Sequence, residues 1–215
     1  MKLRRTLAQL TAVLFTGALA TGLAVAPAQA APAEQSLAAV LTADGNGTFD
    51  NNWYDYDIVT QAVLGVLAAK PDSNVKLLTD GSVALTAFIP NDRAFRLLAH
   101  DISHKWYSTE KGVFDRLVKK LGIDAIEKVL LYHVVAGGPI MAKDALKADG
   151  AKLATALPGK SIKVDVQGRN VPTIVLIDLD RNDYNPRVNP WQTDINEGNK
   201  QVAHGITRVL RPVNL

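Results

Sequence analysis

One segment of the chain approaches the pattern of a phosphate-binding loop. Residues 154–161 read ATALPGKS and end in the Gly-Lys-Ser that such loops use. A phosphate loop needs glycine N–H groups that converge between a strand and a helix. Here Ala154 stands at the first glycine position, Pro158 removes one N–H donor, and the residues that follow alternate as a strand. We therefore expect a hairpin turn at this point, and no nucleotide or other cofactor.

A second segment is rich in carboxylates. Asp178, Asp180, Asn182 and Asp183 lie within six positions of one another, and side-chain oxygens at such spacing are ligands for calcium. The segment lacks the glycine and the distal glutamate of the calcium-binding loop found between paired helices. We expect a solvated connection between two strands, and calcium binding stays open as the alternative.

The remaining candidates for chemistry are four histidines. His100 and His104 are spaced to share a helix face, but no glutamate lies between them as in the metalloprotease pattern. The chain has no cysteine and no Gly-x-Ser-x-Gly nucleophile motif, and we find no convincing acid–base pair. The sequence therefore predicts no catalytic residue and no metal site, and indicates that the protein is not an enzyme.

The first thirty residues have the pattern of a secretory signal peptide. Lys2, Arg4 and Arg5 precede an apolar stretch, and Ala28-Gln29-Ala30 supplies the small-residue cleavage pattern. The segment contains no acid, so its removal takes the formal charge of +3 to zero. A neutral chain gives no support for nucleic-acid binding. We expect a secreted protein with no stable membrane insertion after cleavage, while a retained signal segment stays open as the alternative.

The rest of the chain predicts helices first and strands later, which is typical of α+β architecture. After a polar tether over 31–52, a helix over 58–70 capped by Asp57 leads to a buried strand over 84–89. We expect further helices over 110–121, with Gly122 as the stop, 124–132 and 142–147. The predicted later strands cover residues 152–157, 161–166, 171–179 and 202–210.

Three segments join these elements. They read TAFIPNDRAF over 86–95, LLYHVVAG over 130–137 and HGITRVLRP over 204–212. In the first, Pro90 fixes φ at the end of the strand, and Asn91 or Asp92 accepts the free N–H groups of the next helix. The order and spacing of the three segments, with LPGKSIKVDV in its expected place, resemble a fasciclin-type domain over residues 53–215.

The resemblance implies a fold in which helices pack against a twisted β-sandwich or wedge. It also implies an adhesion or interaction module, secreted or held at the cell surface, that binds a protein or cell-envelope partner without catalysis. Tyr132 and His133 match the central Tyr-His element, which supports the fold and is linked to adhesion in animal members. Asp194 and Ile195 resemble an Asp-Ile element that contacts a cell receptor in some animal members.

The loop over 178–199 supplies the other candidate contacts. Tyr184 and Trp191 are predicted binding residues there, because exposed aromatic side chains favour recognition. A second hypothesis is that the protein carries an apolar lipid or pigment in a groove between helices and sheet, since that region is rich in Val, Leu and Phe. The sequence leaves the partner and the oligomeric state open.

Overall fold

The structure is a computed structural model that describes residues 34–43 and 47–215. The predicted signal peptide over 1–30 lies outside these residues, as do the first residues of the predicted tether. No helix in the described part of the chain is long and apolar enough to cross a bilayer. The helices are α1 (Leu37–Ala43), α2 (Asp57–Ala69), α3 (Asp92–Ser103), α4 (Glu110–Tyr132) and α5 (Ala142–Ala145), with a 3₁₀ helix at Asn74–Thr79. The strands are β1 (Leu85–Pro90), β2 (Val134–Ala136), β3 (Lys152–Ala154), β4 (Ser161–Gln167), β5 (Thr173–Ile177) and β6 (Gln201–Ile206).

The first sheet has β1 at its centre. Strand β2 pairs antiparallel on one side of β1, and β6 pairs parallel on the other, from Leu85 opposite Gln201 to Pro90 opposite Ile206. Every residue of β1 and of β6 is buried, so both faces of the sheet are covered. The predicted buried strand and the predicted closing strand are therefore confirmed, and they lie side by side.

The second sheet is an antiparallel meander of β3, β4 and β5. The turn between β3 and β4 contains the Pro158-Gly159-Lys160 sequence, so the predicted hairpin is confirmed in place of a phosphate loop. In β4, Ile162 and Val164 are buried while Lys163 is exposed, as the alternation predicted. One face of this sheet therefore lies against the core and the other against solvent.

Two apolar clusters follow from the alternation along β1. Leu85, Ala87 and Ile89 pack with helices α1 to α4 in the larger cluster. Phe88 lies on the opposite face, in a cluster with Ile162, Leu176 and other side chains of the second sheet. The first sheet is thus sandwiched between helices and the second sheet, which confirms the α+β architecture.

The junction after β1 forms as its residues predict. Pro90 ends the strand, and the Asn91 side chain accepts a hydrogen bond from the Ala94 N–H at 3.1 Å, so that Asn91 caps α3. The predicted cap of α2 is wrong. Asp57 is the first residue of that helix, and the free N–H of Ile58 donates instead to the Asp92 carboxylate, 3.0 Å away across the fold.

Helix α4 is bent at Gly122. This residue has φ 74° and ψ 166°, and the helical backbone resumes after it. The predicted helix over 110–121 with a glycine stop and the next helix over 124–132 are therefore both present, joined end to end. Only glycine adopts this combination of angles without strain.

The predicted tether over 31–52 is wrong for its described residues. Residues 37–43 form helix α1, whose Leu37 is 1% exposed and whose Leu41 is 4% exposed. The Leu37 N–H donates to the Gln201 side chain at 2.8 Å, which ties α1 to the last strand. The folded unit therefore begins well before Trp53. A short amphipathic helix in an Ala-rich segment gives little periodic signal, so the sequence pattern missed it.

Candidate functional site

The loop between β5 and β6 is held against both sheets. Backbone bridges join Val175 to Arg187 on one side and Val188 to Ile206 on the other. The loop over 178–199 therefore fills the gap between the two sheets, although most of it is irregular. Side chains that project from it have a fixed base.

The predicted aromatic contacts are exposed. Trp191 is 91% exposed and Tyr184 is 78% exposed, the former being the most exposed large apolar residue of the described chain. Asn189 shapes the turn beneath Trp191, because its side chain accepts the Trp191 N–H at 3.1 Å and donates to Gln192 at 2.8 Å. Tyr184 lies under the Arg208 guanidinium, 5.2 Å from the ring centre.

A surface groove lies on each side of the 187–188 segment. The first has a volume of about 250 Å³ and is mostly apolar, with Ile174, Val188 and Pro190 in its walls and Val171 at its edge. The second has a volume of about 350 Å³ and is more polar. Its walls include Tyr184, Arg187, Thr207 and Arg208. Each exposed aromatic of the loop thus borders or adjoins a groove.

Asp194 and Ile195, which are predicted to contact a partner, mainly contact residues of this chain. Asp194 has φ 55°, and its carboxylate accepts the Ala142 N–H at 2.8 Å, at the start of α5. Its own N–H donates to Nδ1 of His204 at 3.2 Å, and Ile195 pairs with Ala203 in a β-bridge. Both residues anchor the loop, and both keep partial exposure. A direct contact with a partner stays a prediction for them.

Tyr132 and His133 lie in the interior. Tyr132 is fully buried and its hydroxyl donates to the Ser161 carbonyl at 3.0 Å, which links α4 to the second sheet. His133 is 5% exposed; its Nε2 accepts the Leu210 N–H at 2.9 Å and its Nδ1 lies 2.7 Å from the Val129 carbonyl. The structure therefore places this pair where it supports the scaffold, and any effect on binding would be indirect.

These bonds fix the protonation of His133. Because Nε2 accepts a hydrogen bond, the neutral ring carries its proton on Nδ1 and donates to Val129. Burial lowers the pKa of His133 to about 4, since a charged ring would lack water and would meet the Leu210 N–H. Burial also lowers the pKa of His204 and raises the pKa of Tyr132.

The predicted solvated connection at Asp178–Asp183 is wrong in its detail. Asp180 is 3% exposed, and the guanidinium of Arg211 lies 3.3 Å from its carboxylate, 2.8 Å from that of Asp183 and 2.6 Å from that of Asp101. Arg208 forms a further ion pair with Asp183 at 3.2 Å. Arginine therefore supplies the positive charge that calcium would otherwise bring. The sequence pattern showed the acids but not the distant cations.

The cavities between helices and first sheet are small. Two apolar cavities of about 20 and 30 Å³ lie among core residues such as Phe95, Val129 and Leu130. Such a volume is close to that of one water molecule and far below that of a lipid or pigment. Among the described residues, the helices and the first sheet therefore leave no preformed cavity of that size between them.

One cluster of side chains had no counterpart in the sequence analysis. Five carboxylates form two overlapping groups of three, with Asp50, Asp55 and Asp57 in one and Asp55, Asp92 and Glu110 in the other. Within each group one oxygen from each residue lies within 4.8 Å of the others. The residues are up to sixty positions apart, so only the fold brings them together. Oxygen ligands at this separation are of the kind that holds a divalent cation.

A solved structure described as "a FAS1 Domain Pair from the Insect Cell Adhesion Molecule Fasciclin I" is similar to this chain, with 17% identity and a TM-score of 0.45. The match covers 70% of this chain and 44% of that chain. No curated protein matches the sequence. The model of the Fasciclin domain family matches residues 63–212, and the chain therefore belongs to that family.

Proposed function

We propose that this protein is an extracellular interaction module that binds a protein or another cell-envelope component through the loop over 178–199. We call the surface formed by Tyr184, Trp191 and the two adjoining grooves the recognition face. Membership of the fasciclin family supports a non-catalytic interaction role in general. The observation that carries the proposal for this surface is the 91% exposure of Trp191 on a hydrogen-bonded turn.

The exposed Trp191 ring offers a large apolar surface that a partner can cover. Large aromatic side chains dominate the binding energy of interfaces because they bury much apolar area with few rotatable bonds. The Asn189 bonds beneath Trp191 hold its backbone in one conformation, which lowers the entropy lost on binding. The apolar groove that includes Pro190 lies beside it and offers a place for a partner side chain.

Asp194, a predicted binding residue that faces inward, and its partner His204 support the same surface. The Asp194 carboxylate ties the loop to α5, and His204 accepts the Asp194 N–H from the last strand. The recognition face therefore rests on the core through these two residues. Substituting them should change binding by moving the loop, whereas substituting Trp191 should change binding with the fold intact.

Site-directed crosslinking tests this proposal on the mature protein. A photo-crosslinking amino acid in place of Trp191 or of Tyr184 should attach to the same partner in an envelope or extracellular-medium fraction of the host. Trp106 provides a matched control position, because it is an exposed aromatic, at 59%, outside the loop. Mass spectrometry of the adduct identifies the partner.

The affinity of the purified partner for two variants then tests whether the recognition face binds it. Trp191→Ala should weaken this affinity about tenfold or more, corresponding to at least about 1.4 kcal/mol, while Trp106→Ala leaves it unchanged. Equal crosslinking from all three positions, or full affinity in Trp191→Ala, would show that the recognition face lies elsewhere. Detection of the protein with residues 1–30 removed in the medium or at the cell surface tests the predicted location.

A further inference from the structure

Three helices of the larger cluster begin at one point. Asp57 is the first residue of α2, Asp92 of α3 and Glu110 of α4, and all three are at most 1% exposed. Asp50 and Asp55 reach the same point from the loop before α2. Asp50 is exposed and Asp55 half-buried, so the cluster opens to solvent on the side of that loop.

Two of the buried carboxylates are oriented by structural hydrogen bonds that use one oxygen each. Oδ1 of Asp92 accepts the Ile58 N–H at 3.0 Å, and Oε2 of Glu110 accepts the Asn51 N–H at 2.8 Å. Oε1 of Glu110 is buried without a hydrogen-bond partner in the described chain, whereas the Asp92 carboxyl is also hydrogen-bonded to the Asp55 side chain. Both carboxylate oxygens of Asp57 are likewise buried without a partner among the described residues.

Unpartnered buried oxygens are rare, because each loses its hydration without compensation. No lysine or arginine among the described residues forms an ion pair with Asp57, Asp92 or Glu110, in contrast to the arginine-paired acids around Arg211. The helix N-termini contribute only partial positive charge. Three oxygens on two helices therefore point to a positive charge that the side chains of the described residues do not supply.

We infer that Asp50, Asp55, Asp57, Asp92 and Glu110 form a binding site for a calcium ion. The ligands are all oxygen, which selects a hard cation over zinc or copper. Calcium takes six to eight oxygens at about 2.3–2.6 Å, so ligands on opposite sides of it are about 5 Å apart. Within each group of three carboxylates the oxygens are close enough together to contact one ion, and Asp55 belongs to both groups. An exposed Asp50 at the rim lets the ion enter.

Calcium titration of metal-free protein tests the assignment, using full-length protein stripped with a chelator. Calorimetry should show one calcium per chain, and the melting temperature should rise with calcium. Terbium, which replaces calcium at oxygen sites, should luminesce on excitation of tryptophan, because Trp53 lies in the loop between Asp50 and Asp55. Magnesium should bind at least about tenfold more weakly, since it demands a smaller octahedral shell.

The Asp57→Asn variant tests whether Asp57 is a metal ligand or only a structural residue. The variant keeps the side-chain volume but removes a charge that repels its neighbours, so the metal-free protein should melt at a higher temperature than the wild type. Its calcium affinity should fall about 10- to 100-fold. Asp50→Asn, at the exposed rim, should weaken calcium binding without endangering folding, because the amide oxygen can still accept the Asn52 N–H that Oδ1 of Asp50 accepts.

Asp144→Asn is the matched control, since Asp144 is an exposed acid on α5, and it should leave calcium binding unchanged. The inference is overturned by the absence of heat, melting shift and terbium signal at millimolar calcium. It is also overturned by calcium affinity that survives in both Asp50→Asn and Asp57→Asn, or by magnesium affinity equal to that of calcium. If Asp57→Asn does not fold, the result for Asp50→Asn decides alone.

Discussion

Arg211 shows how one buried cation can organise an acidic surface. Its guanidinium contacts the carboxylates of Asp101, Asp180 and Asp183, which come from α3 and from the loop after β5. Removing one partner of a buried ion pair costs more than the pair contributes, because the remaining charge is left without compensation. The three acids therefore depend on one arginine that follows all of them in the chain.

Arg211→Met should lower the free energy of unfolding by about 3 kcal/mol, measured by urea denaturation. The double variant Arg211→Met with Asp180→Asn should recover part of this loss. The reason is that the introduced amide is neutral and keeps an oxygen for the Asn182 N–H, which the Asp180 carboxylate accepts at 3.2 Å. A double variant that is less stable than Arg211→Met would contradict the pairing.

His133 provides a test of buried charge. In the unfolded chain histidine takes a proton near pH 6.5, whereas the folded ring, with its lowered pKa, does so only at about 4. As the pH falls from 6.5 towards 4, the unfolded state gains a proton that the folded state does not bind. The free energy of unfolding therefore falls by up to about 3 kcal/mol because of His133. Above pH 6.5 the residue contributes nothing to the pH dependence.

The ring resonances of His133 should stay constant in NMR spectra down to about pH 5, while those of the urea-unfolded chain titrate near 6.5. A titration of the folded ring above pH 6 would refute the lowered pKa. The pH dependence of the melting temperature alone does not isolate His133. The raised pKa of Asp57 increases the free energy of unfolding as the pH falls through 6, which opposes the effect of His133.

At the scale of single elements, Gly122 permits one long segment to serve as two helices. Its backbone lies in a region that is open to glycine and strained for other residues, and nothing lies within 4 Å of an added Cβ. A substitution at Gly122 is therefore expected to destabilise the protein through backbone strain and not through a steric clash.

Gly122→Ala should destabilise the protein by about 1–3 kcal/mol in chemical denaturation. Gly65→Ala is the matched control, because Gly65 lies inside α2 with ordinary helical backbone and open space around it. That substitution should stabilise the protein by about 0.5–1 kcal/mol. The same sign for both substitutions would refute the conformational explanation.

Elements were predicted well where the signal was local. The hairpin at Pro158-Gly159 and the junction at Pro90-Asn91 each depend on residues within a few positions of one another, and both are confirmed. The cap of α2 by Asp92, the ion pairs of Arg211 and the acidic cluster join residues far apart in sequence, and none was predicted. The sequence predicts the exposure of Tyr184 and Trp191. Tyr132 and His133 are buried and support the fold, and an effect of these two residues on binding stays a prediction.

For the whole molecule, the contact between the two ends of the described chain is central. Gln201, which is fully buried, accepts the Leu37 N–H and donates to the carbonyls of Leu77, Asp80 and Val83 at 2.7–3.2 Å. One side chain thus joins α1, the 3₁₀ segment and the last strand. Helix α1 is part of the core although the sequence predicts a tether there.

Leu37→Ala should lower the free energy of unfolding by about 2–5 kcal/mol, because it leaves a cavity at a fully buried position. Leu64→Ala, at a 44% exposed position of α2, should cost far less and serves as the control. Urea denaturation of both variants measures the difference. Equal small effects would show that α1 does not belong to the stable core.

The parallel pairing of β1 with β6 has a consequence for how the molecule is assembled in time. More than a hundred residues separate the two strands, so the central sheet is incomplete until the residues of β6 have followed those of β1 out of the ribosome. Pairing of such distant segments is slow, because a large loop must close first. The nascent chain would therefore remain open and threadable until β6 has been synthesised.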